Sequence, residues 1–246
     1  MTVVSAALLT LVVWAVSLIR SVRWQALVYS LPIPMSLVLV TTGVRVDGAQ
    51  AIGVLVLVSF FGVVTMCRAW LHLHIALAVA AGAAWYVGVS IALARLGDVP
   101  MGIALLVVVP VWAAAVLVLR RRSAAVVSVA SASVTLGPAS PEPGRAALPV
   151  PLRLLVVFLG AFSMLLLGDA LSGFIVTFPY SGVLIAFEAR HRIAEFSRQV
   201  VTASIGLVAF VTGYYLGQDI SGTAALAAGW AAFLVTAAAC RVLARS

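Results

Sequence analysis

The sequence predicts an all-α integral membrane protein with about nine transmembrane helices. Three observations carry that expectation. Of 246 residues, 64% are apolar and 9% are charged, against about a quarter charged in a soluble domain, and the mean hydropathy is +1.22. The apolar residues fall into runs of membrane-crossing length, and the arginines gather in alternate connections between those runs. A water-soluble fold of this length cannot hide so much apolar surface, so soluble enzymes, disordered chains and disulfide-rich secreted scaffolds are excluded. The polar lumen positions that a β-barrel needs are absent.

A helix needs about 20 residues to cross a hydrocarbon core of about 30 Å. The runs lie at roughly 2–19, 25–43, 51–66, 69–94, 101–119, 152–168, 172–188, 200–217 and 222–239. The third and sixth are short and the fourth is long. The first run has no basic segment before it, and Arg20 and Arg23 follow it. A cleaved signal peptide has the reverse order, so this run is read as a retained span.

Charge placement supports the count. With the N-terminus outside, thirteen of the fifteen arginines face the cytoplasm, and only Arg45 and Arg95 lie outside. That is a strong positive-inside bias. Asp47, Asp98, Asp169 and Asp219 all fall outside, whereas Glu142, Glu188 and Glu195 all fall inside. The expected location is the inner (plasma) membrane, multi-pass, with the C-terminus cytoplasmic. The net charge of +8 is spread over several inner loops. It suits anionic inner-leaflet lipid rather than nucleic acid, which would need one basic face with interleaved aromatics. Basic residues that are all Arg, with abundant Ala and Val, point to a GC-rich bacterial genome.

Residues 1–122 form the first membrane half and 152–246 the second, joined by a cytoplasmic Ala/Ser/Pro linker at 123–151. The linker holds Gly137, Pro138, Pro141, Pro143 and Gly144, and its mildly apolar 126–136 part is expected against the bilayer surface or the bundle. Two matched features suggest that the halves are repeats. Pro-x-Ser recurs at Pro34/Ser36 and Pro179/Ser181, 145 residues apart, in the second and seventh spans. An Ala-Ala-Gly stretch recurs at 80–82 and 227–229, 147 residues apart, in the fourth and ninth. Spans one to four then correspond to spans six to nine. Because span five crosses once, the second repeat is inverted. Inverted repeats are the recurring plan of secondary transporters, and paired Pro-broken helices point to their site.

Proline removes an N–H and clashes with the carbonyl a turn earlier, so carbonyls near 28–30 and 175–176 are expected to lose partners. In hydrocarbon such a break persists only against protein or a wet cavity. Substrate-binding candidates are therefore Pro32, Pro34, Ser36, Thr177, Pro179, Tyr180 and Ser181. A polar stretch follows the seventh span. If it is helical, Glu188, His191, Glu195 and Arg198 share one face, with Glu188–Arg192 and His191–Glu195 as i,i+4 pairs. Glu188, Arg190 and His191 are the candidates for gating or proton coupling. The plain reading of that stretch is a solvated, salt-bridged loop.

The remaining features point to structure. His72 and His74 are two apart and face different sides, which is poor chelating geometry. The small residues of spans four and nine suit close helix packing. Trp24, Trp70, Tyr214 and Tyr215 fit an interfacial aromatic belt. Cys67 and Cys240 make neither a disulfide framework nor a zinc site. No nucleotide, metal or catalytic motif is present, so no cofactor and no metal are expected.

The four-plus-one-plus-four plan resembles small bacterial transporters built from inverted helical repeats, drug/metabolite transporters included. The resemblance is of architecture, and a fold alone does not give function. The expected function is a small transporter or flippase with a mid-membrane site between spans two and seven. The alternatives are an integral-membrane enzyme acting on a lipid or isoprenoid, such as a terpene cyclase, and a non-catalytic subunit of a membrane complex. Expected partners are the lipid bilayer, a small-molecule or lipid substrate, and either a second copy of the chain or another membrane protein, with no nucleic acid.

Overall fold

The computed structural model describes residues 31–95, 97–131 and 192–243, together with 177, 182, 183, 186, 187 and 190; for 122–131 and 243 the backbone alone is described. Every extended element among them is a helix. In chain order these are α1 (Ile33–Thr42), α2 (Gly48–Ala69), α3 (Ile75–Ala94), α4 (Met101–Ser131), α5 (Ile193–Gly217) and α6 (Gly222–Leu243). The last five are long and apolar enough to cross a membrane, and α1 is a shorter apolar helix. They correspond to the third, fourth, fifth, eighth and ninth predicted spans, with α1 inside the second.

Local chemistry sets the helix ends. Gly43 closes α1 in the left-handed region, φ +63°, and its N–H donates to the Leu39 carbonyl at 3.0 Å; glycine takes this conformation without the Cβ penalty. Asp47 opens α2 with a reciprocal cap. Its carboxylate accepts the Ala49 N–H at 2.7 Å, and the Gln50 side-chain carbonyl accepts the Asp47 N–H at 2.7 Å. Helix α2 runs to Ala69, where Arg68 turns back to donate to the Leu73 carbonyl at 3.0 Å. The long fourth run is thereby divided, because 70–74 is a connection. His72 sits there at φ +51°, and the ring Nδ1 of His74 caps α3 by accepting the Ala76 N–H at 3.3 Å. Helix α4 has 31 residues, about 46 Å of rise, which exceeds the hydrocarbon core. Its backbone carries the chain past Arg122 into the first nine residues of the predicted linker; 132–151 lie outside the described residues.

Glycines set the closest helix approaches. A Cβ at Gly213 of α5 would stand 2.5 Å from the Ala228 carbonyl oxygen of α6, and one at Gly217 would stand 2.8 Å from the Ala225 Cα. In lipid, where no hydrophobic drive separates helix–helix from helix–tail contact, such backbone approaches carry the packing. In α3, Gly82 receives the Phe60 ring of α2; in α6, Gly229 receives the Phe210 ring of α5. Phe61 of α2 meets Phe196 of α5 edge-on at 5.3 Å between centroids. The indole N–H of Trp112 ties α4 to α5 by donating to the Val201 carbonyl at 2.8 Å. Phe60, Phe61, Tyr86, Phe196 and Phe210 are fully buried. The outward faces of α4 and α6 instead expose Leu106, Val107, Leu234 and Val235, the surface expected where the solvent is lipid tails.

Two aromatic expectations divide. Trp70 is 75% exposed at the end of α2, as a belt residue would be, whereas Tyr214 is 7% exposed and packs on Phe210. Tyr214 belongs to the core because α6 covers that face of α5.

Three connections meet at one end of the bundle. The Gly48 N–H donates to the Val99 carbonyl at 2.8 Å, and Gln218 bonds to Val46. These are the connections holding Asp47, Asp98 and Asp219. Asp47, in the connection before α2, has its carboxyl pushed above the ordinary value of 3.8; burial is the first cause and the nearby Asp98 carboxylate adds to it, against the lowering by backbone N–H donors. A raised acid pKa means that the folded chain binds this proton more readily than the unfolded one. Stability from this group therefore rises as pH falls from the raised value toward 3.8. Asp47→Asn keeps a capping oxygen and removes the titration. Its unfolding midpoint in micelles should match or exceed that of the parent at neutral pH and lack the parent's gain as the pH falls toward about 4. A variant that keeps the gain would place the titration on another group.

Candidate functional site

The Pro-x-Ser feature at 34–36 marks a helix start. Pro32 occupies the position just before α1, and Pro34 lies in its first turn. There a missing N–H costs nothing and the fixed φ suits the helix. The ten residues of α1 rise about 15 Å, half of a core of about 30 Å. The Pro32 carbonyl is used twice. It accepts the Ser36 N–H at 2.8 Å and the Ser36 hydroxyl at 2.7 Å. Ser36 Oγ in turn accepts the indole N–H of Trp230 in α6 at 3.1 Å. Side-chain back-bonding of this kind absorbs polar groups that lipid cannot satisfy. Residues 28–30 lie outside the described residues.

Thr177 is 1% exposed and its hydroxyl is 2.8 Å from the phenol oxygen of Tyr86, which is fully buried in α3. Ser90, one turn further along α3, faces the same phenol. The space for Thr177 is made by Gly53 of α2, where a Cβ would stand 2.3 Å from the threonine Oγ1. Thr177, Tyr86 and Ser90 thus form a buried hydroxyl cluster beside Gly53, where the seventh predicted span meets α2 and α3. Pro179, Tyr180 and Ser181 lie outside the described residues, as do Glu188 and His191.

Of the polar stretch before α5, Arg190, Arg192, Glu195 and Arg198 are among the described residues. The chain turns at Arg190 and bends at Arg192, and α5 begins only at Ile193. Arg192, just ahead of α5, pairs with Glu195 in its first turn, with the guanidinium Nε 2.8 Å from the carboxylate. A carboxylate in the first turn also favours the helix dipole. Arg190 is half-buried.

A separate crevice of about 300 Å³ lies between α2, α4 and α5, lined by Leu55, Val56, Val58, Ser59, Val111, Trp112, Ala115 and Val201. Its two polar groups are engaged: Ser59 accepts the Trp85 indole N–H at 2.9 Å, and Trp112 donates to Val201. It shares no residue with the Ser36 or Thr177 contacts.

Sequence reasoning singled out Ser36 and Thr177 as candidates and missed the side chains that they bond to. Trp230 stands beside the Ala-Ala-Gly stretch at 227–229, and Tyr86 beside Trp85; polar-tipped aromatics mid-span were the available signal. Gly53 left none, because its role depends on a residue more than a hundred positions away. No protein-family model matches the chain, and no curated protein or solved structure matches it at a significant level.

Proposed function

We propose that the chain is a small polytopic transporter or flippase whose site lies between the broken second and seventh spans. The observation that carries this reading is the start of α1 at Pro32 and Pro34 inside an apolar run, with Ser36 held by Trp230; because α1 is only half as long as the hydrocarbon core is thick, this reading sets that start near mid-bilayer. Non-helical backbone at that depth is tolerated only against protein or a water-lined cavity. The inverted repeat belongs to the same proposal. It is supported by two contacts that exchange halves: the second span meets the ninth through Ser36 and Trp230, and the seventh meets the fourth through Thr177 and Tyr86. It is supported also by the ring-on-glycine contacts at Gly82 and Gly229. In this reading Ser36, Thr177, Tyr180 and Ser181 face the substrate, and Glu188, Arg190 and His191 gate the cytoplasmic side. The chain lies in the inner membrane with its N-terminus outside, supported by the arginine distribution. The crevice between α2, α4 and α5 has no carboxylate in its lining, so it offers no general acid to the rival enzyme reading.

Cysteine accessibility tests the proposal. In a Cys67→Ser, Cys240→Ser background, Ser36→Cys should react with a membrane-impermeant thiol reagent from both sides of sealed vesicles. Reaction from neither side would overturn the mid-membrane site, and reaction from one side only would replace transport by a fixed pocket.

A further inference from the structure

We propose that the Asp47 end of the bundle carries a gate, in which Gln218 and Asp219 latch the 43–47 connection and their release frees α1 to open the path to its mid-membrane start. This gate rests on the transport reading above. The latch joins segments more than 170 residues apart. The Gln218 side-chain carbonyl accepts the Val46 N–H at 2.9 Å, and its NH2 group donates to the Val46 carbonyl at 2.9 Å. One amide therefore satisfies both backbone groups of a residue that is only 2% exposed. Beside it Arg45 pairs with Asp219, and both side chains are largely exposed.

Three properties make this a latch. Its bonds are polar and come from one glutamine and one surface ion pair, so water can replace them at small cost when the segments part. The connection that it holds, 43–47, is non-helical and begins at Gly43, a left-handed glycine where an added Cβ would meet nothing within 4 Å. That is a natural pivot. Beyond the pivot, α1 is only ten residues long. Its side-chain hydrogen bond to α6 is the Trp230–Ser36 contact, so movement of the connection tilts a short lever whose inner end is the Pro32 break.

The test places spin labels at Val44→Cys and Ile220→Cys, beside the latch but outside its side-chain bonds, in the background lacking Cys67 and Cys240, and measures their separation in vesicles. Two separations are expected, the shorter predominating. Gln218→Ala should shift the ratio toward the longer by about tenfold, the effect of losing two net hydrogen bonds. Arg45→Ala should shift it less and in the same direction, and serves alone if Gln218→Ala does not insert. A single separation unchanged by both substitutions overturns the gate and makes the contact a static tie. Gate and site fail separately. One separation together with two-sided labelling of Ser36→Cys removes the gate and keeps the site; two separations with Ser36→Cys unreactive keep the latch movement and remove the site.

Discussion

Gly213→Leu is expected to cost more stability than any other single substitution in the described bundle, above about 3 kcal/mol. A Cβ there stands 2.5 Å from the Ala228 carbonyl oxygen and 2.9 Å from the Ala232 Cβ. The obstacle is helix backbone, which its own hydrogen bonds hold in place, so α6 can relieve the clash only by retreating as a unit. Lipid offers no hydrophobic force to press it back, since tails are as apolar as leucine. The opposing gain is small: leucine improves helix propensity over glycine by about 1 kcal/mol. Gly88→Leu on α3 is the control, because nothing lies within 4 Å of a Cβ there and its midpoint should stay level or rise. The measurement is the unfolding midpoint in micelles for both variants. Equal midpoints would mean that α5 and α6 do not meet along Gly213.

Gly53→Ala is the second large effect, expected at about 2–3 kcal/mol from overpacking and a weakened buried hydrogen bond. Rotating Thr177 does not relieve the clash. Its Oγ1, Cβ and Cγ2 stand 2.3, 3.1 and 3.2 Å from the new methyl, so the segment carrying Thr177 must back away from Tyr86. A double-mutant cycle isolates the contact. Thr177→Ala removes the two side-chain tips, so Gly53→Ala should cost far less in that background than in the parent. Equal costs in both would separate residue 177 from the α2 groove. In the transport reading the same displacement disturbs the seventh-span break, and labelling of Ser36→Cys should become one-sided.

The break at Pro34 was legible in the sequence as a position, since two prolines inside an apolar run leave few alternatives. Its nature was not. The structure makes it a helix start, where the Pro32 carbonyl accepts both the N–H and the hydroxyl of Ser36. The division of the fourth run was hidden for a different reason. Trp70, Leu71 and Leu73 are apolar, so hydropathy continues through 70–74 while His72 reverses the backbone and His74 restarts the helix. The start of α5 at Ile193 was hidden too, because Arg192 and Glu195 read equally well as a loop or as a helical face, and only the structure shows their side chains paired across the first turn. Tyr214 was assigned to the interface by its distance from a span end, yet the close approach of α6 made that end a packed one.

Membrane residence, the placement of the described spans and the gathering of Asp47, Asp98 and Asp219 into connections at one end followed from the sequence by itself. Transfer to lipid is a sum over residues, and each residue contributes nearly the same wherever its neighbours lie. Which span lies against which was decided only in three dimensions. Ser36 lies beneath Trp230 across 194 positions, Thr177 beside Tyr86 across 91, and Gln218 around Val46 across 172. In a medium as apolar as the helices themselves, association is chosen by shape and by the few polar groups that must find each other. Shape and polar pairing belong to pairs of distant residues, and a one-dimensional pattern does not contain them.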